Sequence, residues 1–287
     1  MRVGLLGLGN VGEGMAHNLA IKGFAPVVRD IRPEPVAHIV SQGAVAAASN
    51  FELGQKADVV CVVLLDEKQV LGALGASGDD AGLLAGMAPG GVIVIHSTVP
   101  RETLLEVARL AAQKQLDVID APLTGGGGPV AARAGELTFM VGGEPQVLAR
   151  VEPVLHAMAC EIVHLGPLGT GIAVKAINNY LAVANSLVTR EAIRIGRAVG
   201  VEPKQLLAMV NAGGVGSNWA TLNWQRIRGQ ELSHTTGPIG LAQSATKDMV
   251  IAATIVEQLG VRAPALRLLK EHVLGELVET GITDNGV

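Results

Sequence analysis

The 287-residue sequence has few aromatic side chains and few cysteines. Aromatic residues make up 2% of the chain, and the two cysteines are Cys61 and Cys160. Both stand in apolar surroundings without the C-x-x-C spacing of a metal or redox site, so we expect two buried thiols in a reducing compartment. Because 49% of the residues are hydrophobic, the chain is not mostly disordered, and aliphatic side chains must build its core.

The sequence also lacks long apolar runs and an excess of positive charge. Apolar runs such as residues 59–65 are as long as strands, whereas a membrane-spanning helix needs roughly 18 residues. The 22 Lys and Arg against 26 Asp and Glu give a net charge of −4, which argues against nucleic acid or an anionic membrane as a partner. Residues 1–6 lead directly into a glycine-rich turn rather than a secretory signal. We therefore expect a soluble cytoplasmic protein.

The pattern of the sequence changes near residue 165. Before it, uniformly apolar runs alternate with Ala- and Leu-rich helical segments, which predicts a parallel, doubly wound α/β sheet of the Rossmann type. After it, helical periodicity predominates, with one long helix predicted over 171–199 and loops at 213–216 and 237–240. The sequence thus predicts an α/β domain over 1–165 and an all-α domain over 166–287. The strands are predicted at 2–6, 26–29, 59–65, 92–95, 117–119, 138–141 and 162–164.

A glycine-rich turn separates the first predicted strand from the first helix. In a G-x-G-x-x-G turn, the first glycine allows the tight turn, the second lets a pyrophosphate approach the backbone, and the third lets helix and strand pack closely. The helix N-terminus then offers free N–H groups to the phosphates. A glycine-rich turn without a ligand is the alternative. The turn consists of Gly7, Leu8, Gly9, Asn10, Val11 and Gly12.

An acidic residue follows this turn at the spacing expected for ribose binding. Asp30 ends the second predicted strand, 18 residues after Gly12. A carboxylate there accepts hydrogen bonds from the ribose hydroxyls and repels a 2′-phosphate, which favours NAD over NADP. Arg29 and Arg32 flank it, and either could instead reach a 2′-phosphate.

Another candidate segment, residues 120–126, follows a strand, where open α/β sheets place their ligands. The Thr124 hydroxyl and the backbone N–H groups of Gly125 and Gly126 could hold a carboxylate, and a Cβ at either glycine would push the ligand away. An ordinary turn is the alternative.

Two lysines on predicted helices are also candidates. Lys175, Asn178 and Asn179 share one face of the long helix, among otherwise apolar residues. Lys247 is predicted to begin a later helix, after the loop at 237–240. The alternatives are a solvated helix edge for the first group and a surface lysine for the second.

Four motifs, taken in this order, resemble those of the β-hydroxyacid dehydrogenase family, which includes 3-hydroxyisobutyrate dehydrogenase and tartronate semialdehyde reductase. They are residues 7–19, residues 120–126, residues 166–171 followed by Lys175, and residues 247–249. The resemblance covers essentially the whole chain. It implies a catalytic acid/base at Lys175 and substrate binding by Thr124, Gly125, Gly126 and Asn179. Asn178 joins this set because it shares one helical face with Lys175 and Asn179. The resemblance also implies cofactor binding by Leu64, Leu65, Thr98 and Lys247, in addition to the glycine-rich turn and Asp30.

The activity that the resemblance implies is interconversion of a small 3-hydroxy acid and its semialdehyde or keto acid, with NAD preferred or NADP. A lysine suits this chemistry, because its ammonium stabilises an oxyanion and burial can lower its pKa toward working pH. Four departures leave the substrate open. They are Thr124 in place of the usual serine, Leu65 in place of a frequent proline, a longer loop at 127–130, and Ile239 where an aromatic residue is common.

Two alternatives remain at this point: an imine reductase of similar fold, which typically lacks the lysine, and a non-catalytic NAD-binding module. None of the seven histidines belongs to a ligand cluster, so we expect no metal. The long apolar helix from Gly171 should need a partner, which predicts a homodimer or homotetramer.

Overall fold

The computed structural model describes residues 1–75, 82–126, 128–233 and 237–276. The chain forms two compact units, Met1–Lys175 and Ala176–Val287. The boundary between them falls within one long helix, Thr170–Ala198. Each unit is described by itself below.

The first unit contains a nine-stranded sheet. The strand order is β3-β2-β1-β4-β5-β6-β8-β7, with β9 beside β8. From β1 the chain first adds β2 and β3 on one side and then returns to add β4 and the later strands on the other side. This reversal is the switch point at which doubly wound sheets bind their ligands, and it confirms the predicted Rossmann-type fold. The strands are β1 (Val3–Leu6), β2 (Val27–Arg29), β3 (Val45–Ala46), β4 (Val59–Val62), β5 (Val92–Ile95), β6 (Asp117–Asp120), β7 (Leu123–Thr124), β8 (Leu137–Gly142) and β9 (Ala159–Gly166).

The expectation of an entirely parallel sheet is wrong at one end. Strands β1 to β6 are all parallel to one another, but β8 runs antiparallel to both β6 and β7. The short helix after β7, Pro129–Ala134, does not form a crossover over the sheet. It packs instead on the first helix, where Asn18 Nδ2 donates to Ala132 O at 2.8 Å. Without a crossover, the returning strand is antiparallel.

Helices flank the sheet, and aliphatic side chains fill the core between them. Leu5, Val28 and Val94 are fully buried in it. Cys61 is also fully buried, and burial raises the pKa of its thiol to about 12. The expectation of a second buried thiol is wrong, because Cys160 is exposed on β9. The helices are α1 (Gly12–Ile21), α2 (Pro33–Val40), α3 (Asn50–Lys56), α4 (Glu67–Leu74), α5 (Leu83–Gly86), α6 (Arg101–Ala112), α7 (Pro129–Ala134) and α8 (Pro145–Met158).

The described part of the second unit is helical. Helix α9 (Thr170–Ala198) enters it from the first unit and confirms the long helix predicted over 171–199. It ends before Gly200, whose φ of +82° favours glycine. The later helices are α10 (Pro203–Gly213), α11 (Trp219–Leu222), α12 (Trp224–Ser233), α13 (Gly237–Leu259) and α14 (Pro264–Glu276).

One predicted loop of this unit is wrong. Residues 237–240 form the first turn of α13 rather than a loop, so Lys247 lies in the middle of that helix and does not begin it. A proline is compatible with the first turn of a helix, because the N–H that it lacks would have no partner within the helix.

A small core of the second unit surrounds a buried ionic group. Trp224 packs with Ile193 and Ile227, and the Arg190 guanidinium lies 5.1 Å from the centre of its ring. Glu231 pairs with both Arg190 and Arg228. None of the described helices is long and apolar enough to cross a membrane.

Candidate active site

The glycine-rich turn connects β1 to α1 at the switch point of the sheet. Gly7 has a φ of +97°, and a Cβ there would lie 2.2 Å from Val63 O. A Cβ at Gly12 would lie 2.0 Å from Gly7 O. At Gly9, by contrast, a Cβ would meet no atom of the described residues within 4 Å. Packing within the protein therefore requires the first and third glycines, while the second faces open space, which fits a pyrophosphate against its backbone.

Asp30 is anchored to this turn by hydrogen bonds. Its Oδ2 accepts from Leu8 N at 2.6 Å, and its Oδ1 accepts from the backbone N of Arg32 at 2.8 Å and from Arg32 Nε at 3.1 Å. Burial acts to raise the pKa of Asp30, but the hydrogen bonds from Arg32 and Leu8 outweigh it and hold the pKa below its ordinary value. Arg29 donates to Asp30 O. A negative charge thus lies beside the turn, with Arg32 as its partner.

Leu64, Leu65 and Thr98 lie just beyond the carboxyl ends of β4 and β5. Leu64 N donates to Ser97 Oγ at 2.9 Å, which joins the two segments. The side chain of Leu65 is exposed. Because β1, β4 and β5 are parallel neighbours, these residues follow the same edge of the sheet as the glycine-rich turn. The sequence reasoning missed Ser97, a buried hydroxyl next to Thr98.

The segment with Thr124 and two glycines leaves the sheet as a short strand and a turn. Thr124 pairs with Thr138 of β8. A Cβ at Gly125 would lie 3.1 Å from Leu137 Cδ2 and 3.4 Å from Ala131 Cβ. Glycine at position 125 therefore makes room for protein side chains, and the expectation that a Cβ there would displace a ligand stays a prediction. Gly126 follows it, and Gly127 lies outside the described residues.

A buried carboxylate holds the N-terminus of α9. Asp120, at the end of β6, accepts hydrogen bonds from Gly169 N and Ile172 N, both at 2.7 Å. A Cβ at Gly142 or Gly171 would lie 2.4 Å or 2.7 Å from its oxygens, so both glycines make room for this carboxylate. Burial raises the pKa of Asp120 to about 6, against the opposing effect of the backbone hydrogen bonds.

Residues 120–126 are predicted from the sequence as a substrate segment, and this role of Asp120 is not apparent from the motif. The available signal was an acidic residue that ends a buried strand, with glycines at 142 and 171. Asp120 thereby fixes where α9 begins, and Lys175 follows Ile172 by about one turn of that helix.

Lys175, Asn178 and Asn179 are all half-buried on α9. Asn178 Nδ2 donates to Asn179 Oδ1 at 3.3 Å. Asn179 Nδ2 in turn donates to Asp248 Oδ2 of α13 at 2.7 Å. The structure thus brings the two asparagines onto the helical face that also bears Lys175, as the spacing predicts.

Lys247 lies on α13 in the second unit, and its Nζ is 3.7 Å from Asp248 Oδ1. Among the described residues, no group of three or more His, Cys, Asp or Glu side chains is arranged to hold a metal ion.

Two family models together match nearly the whole chain. Residues 2–166 match the NAD-binding domain of 6-phosphogluconate dehydrogenase. Residues 169–284 match the model described as NAD-binding of NADP-dependent 3-hydroxyisobutyrate dehydrogenase.

Individual relatives agree with these models. A 3-hydroxyisobutyrate dehydrogenase of Pseudomonas aeruginosa is 40% identical over 218 residues, which is 76% of this chain and 71% of the relative. An NAD-dependent L-serine dehydrogenase of the same organism is 37% identical over 219 residues, which is 76% of this chain and 72% of the relative. The solved structure of Mycobacterium tuberculosis 3-hydroxyisobutyrate dehydrogenase with L-serine superposes with a TM-score of 0.78 at 27% identity, and the match covers 98% of this chain and 96% of that one. The chain therefore belongs to the β-hydroxyacid dehydrogenase family and is an NAD(P)-dependent oxidoreductase that acts on the alcohol group of a hydroxy acid.

Proposed function

We propose that Lys175 is the general acid/base of this dehydrogenase and that the substrate is a small 3-hydroxy acid. The observation that carries the proposal is the anchoring of α9 by Asp120, because it ties the helical turn before Lys175 to the carboxyl end of β6. The glycine-rich turn follows β1 at the same edge of the parallel strands β1 to β6, the edge at which open α/β sheets bind their ligands.

The chemistry requires one proton acceptor from the protein. A bound nicotinamide cofactor would supply the acceptor for the hydride of the carbinol carbon. The uncharged amine of Lys175 takes the hydroxyl proton as the carbonyl group forms, and in the reverse direction its ammonium returns that proton to the carbonyl oxygen. A cation at this point also stabilises the oxygen as it gains negative charge. The products are the semialdehyde or keto acid, the reduced cofactor and a proton on Lys175.

We propose that the cofactor is held at the switch point, with NAD preferred to NADP. The open face of Gly9 leaves room for the pyrophosphate, and the buried carboxylate of Asp30 suits the ribose hydroxyls. The residues assigned to cofactor binding are Gly7, Leu8, Gly9, Asn10, Val11, Gly12, Asp30, Leu64, Leu65, Thr98 and Lys247.

The substrate carries a carboxylate in this proposal, held by Thr124, Gly125, Gly126, Asn178 and Asn179. These positions offer a hydroxyl, backbone N–H groups and side-chain amides, which are donors suited to an anion. Two relatives are named for 3-hydroxyisobutyrate and L-serine. Both compounds carry a primary alcohol and a carboxylate on neighbouring carbons, which supports a substrate of this class.

The test is the reduction of NAD⁺ by a panel of 3-hydroxy acids, including 3-hydroxyisobutyrate and L-serine, each assayed beside its methyl ester. We expect turnover of at least one acid, and a much lower kcat/KM for its ester. Equal kcat/KM for acid and ester would overturn the carboxylate assignment. Reduction of cyclic imines by NADH without turnover of any hydroxy acid would favour an imine reductase. Binding of NAD⁺ without turnover of either class would favour a non-catalytic NAD-binding module.

We also propose that the chain forms a homodimer or homotetramer through α9. Four exposed apolar side chains lie within an arc of about 40° on this helix at 100° per residue, on the face opposite Lys175. We name this set the α9 stripe, and it consists of Ile177, Leu181, Val188 and Ile195. A second copy of the same helix offers the complementary apolar surface in an isologous contact. A cytoplasmic location is supported by the two cysteines, which form no disulfide.

A further inference from the structure

A chain of three polar side chains runs from α13 to the face of α9 that bears Lys175. Asp248 Oδ2 accepts a hydrogen bond from Asn179 Nδ2 at 2.7 Å. Asn179 Oδ1 accepts one from Asn178 Nδ2 at 3.3 Å. Asp248 is buried, with 9% of its surface exposed.

The carboxylate of Asp248 sets the direction of the hydrogen bonds among these three side chains. An ionised carboxylate can only accept hydrogen bonds, so it selects the NH₂ group of Asn179 and turns the oxygen of that amide away. The Asn179 oxygen in turn selects the NH₂ group of Asn178. The oxygen of Asn178 is therefore the acceptor at the end of the chain. An asparagine without such a partner can present either end of its amide, because the two orientations differ little in shape.

The orientation of the Asn178 amide matters because Lys175 lies on the same helical face. Lys175 precedes Asn178 by three residues on the same helical face. A lysine ammonium has three donors and no acceptor, so an amide oxygen on this face suits it and an amide NH₂ does not. The NH₂ group of Asn179 has two N–H donors, of which Asp248 accepts one.

We propose that Asp248 is a positioning residue for the dehydrogenase reaction, because its carboxylate fixes the orientation of both asparagine amides on the face of α9 that bears Lys175. It acts through Asn179 and Asn178. The inference rests on the proposed function of Lys175, but it concerns a residue outside that proposal.

The experiment compares three variants of the full chain: Asp248→Asn, Asn179→Asp, and the double variant with both changes. In Asp248→Asn the new amide can accept from or donate to Asn179, so the orientation is no longer fixed. We expect kcat/KM for the hydroxy acid to fall about 10- to 100-fold, the size of effect that misplaced catalytic groups produce, while the Kd for NAD⁺ changes less than about twofold. Glu257→Gln, an exposed change on the same helix, should leave both values unchanged.

The pH profile separates positioning from support of the fold. When Asn178 no longer presents its oxygen alone, the ammonium form of Lys175 loses stabilisation. The rise of kcat/KM with pH in the oxidation direction should then move to lower pH in Asp248→Asn. A purely structural role would not move this part of the profile.

The double variant tests the same point through stability. The double variant exchanges donor and acceptor, because the new amide at position 248 can donate to the carboxylate at position 179. Asn179→Asp should lower the melting temperature, and the double variant should restore it to the wild-type value. Activity should not return, because position 179 then lacks its N–H donors. The inference is overturned if the double variant recovers kcat/KM together with stability, or if Asp248→Asn keeps the kcat/KM and pH profile of the wild type. Absence of hydroxy acid turnover in the wild type would instead contradict the proposed function.

Discussion

The buried carboxylate of Asp120 accepts a hydrogen bond of 2.7 Å from the backbone N–H of Ile172, a residue 52 positions further along the chain. The bond joins the last residue of β6 to the first turn of α9. It satisfies a helix N–H that has no partner within the helix, and it places a negative charge at the positive end of the helix dipole. The position of Lys175 along the sheet edge therefore depends on Asp120.

Replacement of Asp120 by asparagine should reveal the titration of this carboxyl group in the stability of the protein. The folded-state pKa, about 6, lies above the ordinary value of 3.8. A raised pKa contributes stability below the unfolded-state pKa, and this contribution is lost as the pH rises through the folded-state value. The free energy of unfolding of the wild type relative to Asp120→Asn should therefore decrease between about pH 4 and pH 6.5, by roughly 3 kcal/mol at 1.4 kcal/mol per pKa unit.

Urea unfolding followed by circular dichroism, at a series of pH values, measures this difference. The variant Glu161→Gln, an exposed change on β9 of the same sheet, is the control. A difference between wild type and Asp120→Asn that stays constant or grows with rising pH would show that folding does not raise the pKa of Asp120.

Asp30 should give the enzyme a preference for NAD⁺. A 2′-phosphate beside this carboxylate would form a pair of like charges in a partly desolvated site. We expect the wild type to have a higher kcat/KM with NAD⁺ than with NADP⁺, and Asp30→Asn to narrow the ratio by lowering the value for NAD⁺ and raising that for NADP⁺. Steady-state kinetics with both cofactors provide the measurement. A wild-type kcat/KM that favours NADP⁺ would show that Arg29 and Arg32 dominate at this site.

Two substitutions at Gly125 should have different effects. A single Cβ would lie 3.1 Å from the movable Leu137 side chain, so we expect Gly125→Ala to keep a KM for the hydroxy acid within about threefold of the wild type. The two further methyl groups of valine would crowd Leu137 and Ala131 and displace the loop after Thr124. Gly125→Val should therefore raise this KM sharply and leave the Kd for NAD⁺ unchanged. Similar KM values for all three proteins would remove this loop from the substrate site.

The α9 stripe should hold two copies of the chain together. Light scattering at micromolar concentration should give a mass of at least twice the 29.5 kDa of the chain. Leu181→Glu places a charge within the stripe, and we expect it to yield a monomer. Leu268→Glu, at an exposed apolar position on α14, should keep the wild-type mass. A wild-type monomer would contradict the proposal.

Much of the first unit could be predicted because its central strands, β1, β4 and β5, are buried on both faces. A run such as 92–95 is uniformly apolar and is recognisable as a strand. The glycine-rich turn directly follows β1 and precedes α1, so all three of these elements are recognisable as well. The two-residue strands β3 and β7 were missed because they are too short to show any periodicity. The antiparallel direction of β8 depends on where α7 packs, which is a contact between segments distant in sequence.

In the candidate site, too, features set by the local sequence could be predicted, and features set by contacts between distant segments could not. The spacing of Lys175, Asn178 and Asn179 is enough by itself to predict that they share one helical face. The roles of Asp120 and Asp248 could not be predicted in this way, since each depends on a hydrogen bond between residues far apart in the chain. The surroundings of a Cβ at Gly125 were likewise set by Leu137 and Ala131 rather than by the local sequence.

The substitution Lys175→Ala tests the central claim most directly. General acid–base catalysis contributes about 10²- to 10⁴-fold to a rate, so kcat for hydroxy acid oxidation should fall by that factor. The Kd for NAD⁺, measured by titration, should stay nearly unchanged, and Lys204→Ala, which removes an exposed lysine of α10, should retain full activity. A Lys175→Ala enzyme that keeps more than about a tenth of the wild-type kcat would contradict the assignment of Lys175 as the general acid/base, because loss of a general base lowers the rate at least about 10²-fold.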